Sequence, residues 1–462
     1  METLLRGRLK AQISCARRWW LVGVASLVAT AWLPSVFADD NSCFSIQGAI
    51  VKVAPEIDER RYSALSELKK LAATEGRESS RAITLQIPEP SELSKAERDH
   101  LTYPDAMILS VNGDRLDIYV ADAATIPVAL TTLFRHGEKH EGCVPEGRYL
   151  ERPLIARRGL HVVVRHINAA ELRGVLRLAE RNRFNFVVMQ LTADVGFKSF
   201  PRPEDATPTI SVEELKGLLE LANKAGLEII PEIQLLSHQE KLFQDIHPEL
   251  MFNARTYDPR NPDVYRLVYP LIDEVLEVFR PKAFHIGHDE VLGWSTPVAN
   301  RILGEGYEML PANLFMASVL RLSGYLAAKG VQTWMWGDML LDPADFTEKV
   351  SRSMHGGVGQ YPKLLGDLPK DLVVVHWKYF DQGGAYPGFD RLRQAGFRAI
   401  GATWKEVAPM QAFAKHVHAS EGRQSEMLST VWYFLQLKDW QTVRDIVRQS
   451  GDTFWQGSNG SP

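Results

Sequence analysis

Phe284-His285-Ile286-Gly287-His288-Asp289-Glu290-Val291 is a short apolar run, broken by glycine, that ends in two adjacent carboxylates. Its length and flanks predict a buried strand, with Asp289 and Glu290 delivered at the strand's end. Working outward, the same grammar repeats on both sides. Upstream, 160–164, 184–191 and 227–233 read as strands, and 283–286 is the strand just quoted. Downstream, 332–336, 372–377, 397–404 and 428–432 complete the set. Helices fall between them. Asn168 caps one, Ser211 and Glu214 form a capping-box pattern, Gly226 ends that helix, and Asn261-Pro262 opens another. Eight strands alternating with helices over about 300 residues predict a (β/α)8 barrel. A doubly wound sheet is the alternative, disfavoured because no glycine-rich phosphate loop follows the first strand.

A barrel carries its chemistry at the C-terminal ends of its strands. Those ends hold Arg165 and His166, Asp194, Glu232, Asp289 and Glu290, Trp336 and Asp338, Trp377, Trp404 and Glu406, and Trp432. Carboxylates and four tryptophans around one mouth suit a carbohydrate. Indole faces stack on the apolar faces of sugars, and carboxylates handle protons and hydroxyls. The irregular stretch 338–361 reads as a long loop over that mouth.

The remainder frames the barrel. With 462 residues, 45% hydrophobic, 24% charged and a net charge of −4, the chain has an ordinary globular composition. No basic block interleaved with aromatics points to nucleic acid. Arg6, Arg8, Lys10, Arg17 and Arg18 precede a mostly apolar run from Trp19 to Leu33, and Val36-Phe37-Ala38 offers a cleavage site. This predicts a signal peptide over 1–38, export to the periplasm or beyond, and no lasting membrane association after cleavage. An uncleaved anchor is the competing reading, but the run is short for a span.

Residues 39–150 predict a small α+β domain. It has a strand over 46–53, a helix over 57–73, a hairpin of 106–111 and 116–120 turning at Asn112-Gly113-Asp114, and a helix over 123–134. The barrel is assigned to 151–455 and a tail to 456–462. Cys43 and Cys143 lie near the two ends of the first domain, and either pair in an oxidising compartment or stay as separate thiols.

His285-Ile286-Gly287-His288-Asp289-Glu290 resembles the His-x-Gly-Gly-Asp-Glu signature of glycoside hydrolase family 20, the β-N-acetylhexosaminidases. Arg158-Gly159-Leu160 with Arg165-His166, Leu191-Thr192-Ala193-Asp194, and Ile229-Ile230-Pro231-Glu232-Ile233 leading to His238 are similar to the family's first three strands, in order. The resemblance implies a substrate-assisted glycosidase, outside the two-carboxylate scheme. In that chemistry the substrate's own 2-acetamido oxygen attacks the anomeric carbon. Glu290 would be the general acid and then base, and Asp289 would orient the acetamido N–H. Two adjacent carboxylates repel each other, which favours keeping one of them protonated. Arg158 would hold sugar hydroxyls. Trp336, Trp377, Trp404 and Trp432 would line the substrate pocket, with Asp194 and His238 as supporting polar groups. The partner implied is a glycan or amino-sugar, with no cofactor and no metal.

The sequence departs from the family in places. His288 stands where the signature has its second glycine, so an imidazole is expected to crowd the pocket or to add a proton-active group. Lys405-Glu406 follow Trp404, where the family presents a tyrosine, and Tyr379 and Asp381 are the candidate substitutes. Two other readings accompany the hydrolase. One is a carbohydrate-binding barrel that does not cleave. The other is a metal-dependent hydrolase using His285, His288 and Asp289.

Overall fold

The computed structural model describes residues 43–73, 80–239, 242–291, 309–345, 360–380, 384–432 and 439–456. Residues 1–42, on which the signal-peptide reading falls, lie outside this set, as do Asp381 and most of the stretch expected to form a long loop.

The chain begins with a small α+β layer. Its strands are β1 (Cys43–Ser45), β2 (Ile50–Val53), β3 (Ala82–Gln86), β4 (Met107–Asn112), β5 (Arg115–Val120), β6 (Cys143–Pro145) and β7 (Gly147–Glu151). The predicted hairpin is β4–β5, paired antiparallel from Met107↔Val120 to Asn112↔Arg115 around the Asn112–Asp114 turn. The sheet order is β2-β3-β5-β4-β7, and β1 pairs separately with β6. Helices Ser63–Ala72 and Ile126–Lys139 bury Leu65, Leu68, Leu130 and Leu133 against this sheet. Strand β3 was not anticipated. It is only five residues long, and its polar Thr84 and Gln86 disguise a strand that sits inside the sheet. Cys43 and Cys143 are joined in a disulfide, with Cα atoms 5.7 Å apart.

The next eight strands close a parallel barrel. They are β8 (Arg157–Val163), β9 (Phe186–Gln190), β10 (Glu228–Leu235), β11 (Ala283–Gly287), β12 (Gln332–Trp336), β13 (Val373–Trp377), β14 (Arg398–Thr403) and β15 (Glu426–Val431). Each pairs with its successor, and β15 closes on β8 over six residue pairs, from Glu426↔Arg157 to Val431↔Val162. This excludes the doubly wound alternative. The capping signals hold. Asn168 accepts from Ala170 and Glu171 N–H, and Ser211 from Glu214 N–H. No described helix is long and apolar enough to cross a membrane.

Side chains fill the barrel interior in layers, as expected for eight strands. At the N-terminal end of the barrel, Arg157 pairs with Glu228 (3.0 Å) and Glu426 (3.1 Å), and Arg398 also pairs with Glu426. Above them lie Phe186, Trp334 and Leu428. The next layer is polar and fully buried. His161 Nε2 meets Glu232 at 2.9 Å, His285 Nδ1 lies 3.6 Å from the same carboxylate, and Trp336 Nε1 donates to it at 3.4 Å. A buried carboxylate needs such partners. Glu232 is therefore a structural anchor beneath the mouth.

Candidate active site

Two loops carry the candidate acids and their partners: the ends of β10 and β11. Both turn through backbone conformations that side chains rarely adopt. Leu236 (φ 69°) and His238 (φ 54°) do so after β10, and Gly287 (φ 73°), His288 (φ 73°) and Glu290 (φ 49°) after β11. Each non-glycine residue held there costs of order 1 kcal/mol, and such strain gathers where geometry is functional. Gly287 has a specific reason. A Cβ there would meet the Gln234 side chain at 2.7 Å, and Gln234 Nε2 donates to Asp289 Oδ1 at 2.5 Å. Any larger residue would push Gln234 off Asp289.

His238 sits between the two acids. Its Nε2 is 3.5 Å from Asp289 Oδ2 and 3.4 Å from Glu290 Oε2. Arg255 Nη2 contacts its Nδ1 at 2.6 Å. A guanidinium can only donate, so Nδ1 accepts and Nε2 carries its proton toward the carboxylates. Burial pushes Asp289 up, but His238 and Gln234 outweigh it and hold the carboxyl below its ordinary range. Asp289 is therefore ionised. Asp338 moves the other way: burial first and the Asp289 charge second raise its carboxyl well above the ordinary range. Asp338 Oδ2 accepts the Glu290 N–H at 2.9 Å, fixing the backbone of the second acid.

Tryptophans and one tyrosine wall the mouth beside this group. Trp377 stacks on Tyr379 (centroids 5.2 Å apart, 26°). Trp404 lies 5.8 Å from Tyr379, and Trp432 Nε1 donates to the Tyr379 hydroxyl at 3.0 Å. Trp336 joins through Trp432, 5.5 Å away. Its polar edge is turned down to Glu232, so it presents only hydrocarbon to the wall. The Tyr379 hydroxyl is pushed up, by burial and also by the charges of Asp289 and Glu290, which places it within their field.

Several expectations change. Arg158, expected to hold sugar hydroxyls, is the second residue of β8, at the opposite end of the barrel from the mouth, and is fully buried. It donates to the carbonyls of Arg183, Ile155 and Ala156 and pairs with Asp105 at 2.5 Å. Asp194, expected to support the acid, instead organises its own loop. It accepts from the His166 N–H, and its carbonyl takes the N–H groups of Thr209 and Ile210. His288, expected in the pocket, is turned outward into the helix Ala312–Ala327. Its Nδ1 donates to Ile286 O (2.9 Å), its Nε2 accepts from Ser318 Oγ (3.1 Å), and Phe315 packs edge-on to it at 5.7 Å. Burial drops its pKa to about 4, so it is a neutral packing residue.

The metal reading that grouped His285, His288 and Asp289 fails with it, since His285 faces Glu232 inside the barrel. Among the described residues the group with donor atoms close enough to hold a metal ion is His238, Asp289 and Glu290, within 4.8 Å of one another. The Arg255 guanidinium against His238 opposes a cation there.

Gln234, Arg255 and Asp338 were not anticipated as site residues. Gln234 could have been found, because it shares the inward face of β10 with Glu232, two residues away. Asp338 follows Trp336 by two and had been placed at the mouth. Nothing in the sequence marks Arg255. Arg165 stands just past β8, at the mouth end of that strand, and is half-buried.

Comparison with known proteins agrees with this geometry. The model of the glycosyl hydrolase family 20 catalytic domain matches residues 189–448, more than half of the chain. The lacto-N-biosidase of Bifidobacterium bifidum is 28% identical over 206 residues, 41% of this chain and 16% of that protein. Hexosaminidase D of Bos taurus is 31% identical over 198 residues, 40% of this chain and 53% of that protein. The chain thus spans about half or less of the length of these two curated relatives. The crystal structure of the β-N-acetylhexosaminidase of Bacteroides fragilis superposes with a TM-score of 0.62 at 15% identity, covering 91% of this chain and 89% of that one. With the family model spanning β10 to β15 and both acids, the chain belongs to glycoside hydrolase family 20.

Proposed function

We propose that this protein is an exported hydrolase that removes terminal β-linked N-acetylhexosamine by substrate-assisted catalysis. One observation carries the reading. Asp289 and Glu290 lie at the end of β11 with His238 Nε2 within 3.5 Å of each, beside a mouth walled by tryptophans. An ionised Asp289 can accept the acetamido N–H, aim the acetamido oxygen at the anomeric carbon, and stabilise the positive charge that develops. As that oxygen bonds to carbon, the glycosidic C–O bond breaks and Glu290 gives its proton to the leaving oxygen. Water then attacks the anomeric carbon, Glu290 takes its proton, and the carbon–acetamido bond opens. Tyr379 is the hydroxyl available to the acetamido group in place of the tyrosine expected after Trp404. The names of the relatives, a hexosaminidase and a lacto-N-biosidase, support an amino-sugar glycan as substrate.

Export is supported by the N-terminal charge pattern and by the Cys43–Cys143 disulfide, which persists in oxidising compartments. The hydrolytic reading is tested with a chromogenic β-N-acetylglucosaminide. Glu290→Gln is expected to lower kcat by about 10³-fold or more, within the range for a lost general acid. Equal, slow hydrolysis by both proteins would refute it.

A further inference from the structure

Among the described phenylalanines, tyrosines and tryptophans Phe380 alone is exposed, with 41% of its surface open to water. It stands just beyond β13 at the barrel mouth. Its ring is braced edge-on by two neighbours, Tyr379 (centroids 6.1 Å apart, 90°) and Trp404 (5.9 Å, 80°). Both neighbours are already engaged. Tyr379 accepts from Trp432 and stacks on Trp377, and Trp404 carries the Lys405 ammonium 4.6 Å from its centroid. Phe380 is thus a supported ring with about two-fifths of its surface in water, in direct contact with the wall of the proposed sugar pocket.

We infer that Phe380 is the platform for the sugar on the leaving-group side of the scissile bond, so that the preferred substrate is an oligosaccharide and not a simple glycoside. The inference rests on the proposed hydrolysis at Glu290. An isolated aromatic face matches the C–H face of one pyranose ring, whose hydroxyl edges stay hydrated. A protein partner fits poorly, because a stable interface needs about 1,000 Å² or more and a single ring offers far less. Continuity with the pocket wall gives the ring its place in the reaction: a sugar seated on Phe380 is next to the one held in the pocket.

The test separates binding from cleavage. Glu290→Gln, and the same protein with Phe380→Ala or Phe380→Trp added, are titrated calorimetrically. The ligands are N-acetylglucosamine, N,N′-diacetylchitobiose and N-acetylglucosaminyl-β1,3-galactose. At least one disaccharide is expected to bind about tenfold tighter than the monosaccharide, the order expected for covering one aromatic face. Phe380→Ala should bring that ratio near one, and Phe380→Trp should keep it. Disaccharides that bind no tighter than the monosaccharide, or an advantage that survives Phe380→Ala, would overturn the platform. Wild-type cleavage of the same sugars is measured in parallel. If cleavage fails while the ratio depends on Phe380, the hydrolytic reading falls and the platform stands. If cleavage succeeds while the ratio ignores Phe380, the reverse holds.

Discussion

His288 lies two residues from the candidate acid but serves the fold, because its backbone (φ 73°) turns the side chain out of the barrel. There it finds one acceptor and one donor, which together fix a neutral tautomer. A consequence is acid sensitivity. Its folded pKa of about 4 lies below the ordinary 6.5, so the unfolded chain binds more protons between those values. The stability tied to the neutral ring is present above pH 6.5 and drains away as pH falls toward 4. Between pH 7 and 4.5 this amounts to about 2 kcal/mol. His288→Gly suits the backbone and removes the titrating group. Its urea stability should therefore fall by about 2 kcal/mol less than that of wild type over the same interval. Parallel pH profiles would mean that the ring is not held neutral by burial.

At the scale of elements, each barrel strand separates its two ends by function. Arg158 shows how sequence reading errs here. It looks like a ligand-holding arginine, yet it is at the N-terminal end of β8, where its donors tie β8 to the 183–185 turn and to Asp105 of the small domain. Removing one partner of a buried ion pair typically costs about 3–5 kcal/mol. Arg158→Met should lower the unfolding free energy by that order while the folded fraction keeps the kcat/KM of wild type. A large rise in KM at unchanged stability would return Arg158 to the binding site. All eight barrel strands were legible, because buried parallel strands are apolar runs and their helices carry capping signals. The β11 acids were legible because a strand end fixes their position. Gln234 was legible in principle from the alternation of β10, whereas Arg255 and the outward turn of His288 were not, since they depend on loop conformations that local sequence does not encode. Strand β3 was lost because its alternation runs over only five residues, Ala82–Gln86.

For the whole molecule, the small sheet and the barrel share their packing. Trp455 of the C-terminal helix is buried in the small domain's core and donates to Glu151, while Asp452 bridges Arg135 and Arg183. The disulfide ties the first described residue to a strand 100 positions later. Closing a loop of that length is worth about 4–5 kcal/mol in the chain-entropy treatment. The Cys43→Ser, Cys143→Ser double variant should lose stability of that order in urea, and reduction of wild type should do the same. No change on either treatment would show that the link contributes nothing to folding.

The division of labour between Asp289 and Glu290 is the central claim, and it is tested most directly by a thiazoline that mimics the bicyclic intermediate of acetamido attack. An enzyme that stabilises that species should bind its mimic at least about 10²-fold more tightly than N-acetylglucosamine, and Asp289→Asn should remove most of the difference. If wild type binds the thiazoline no better than the free sugar, the substrate's acetamido group is not the nucleophile and the roles assigned to both carboxylates are wrong.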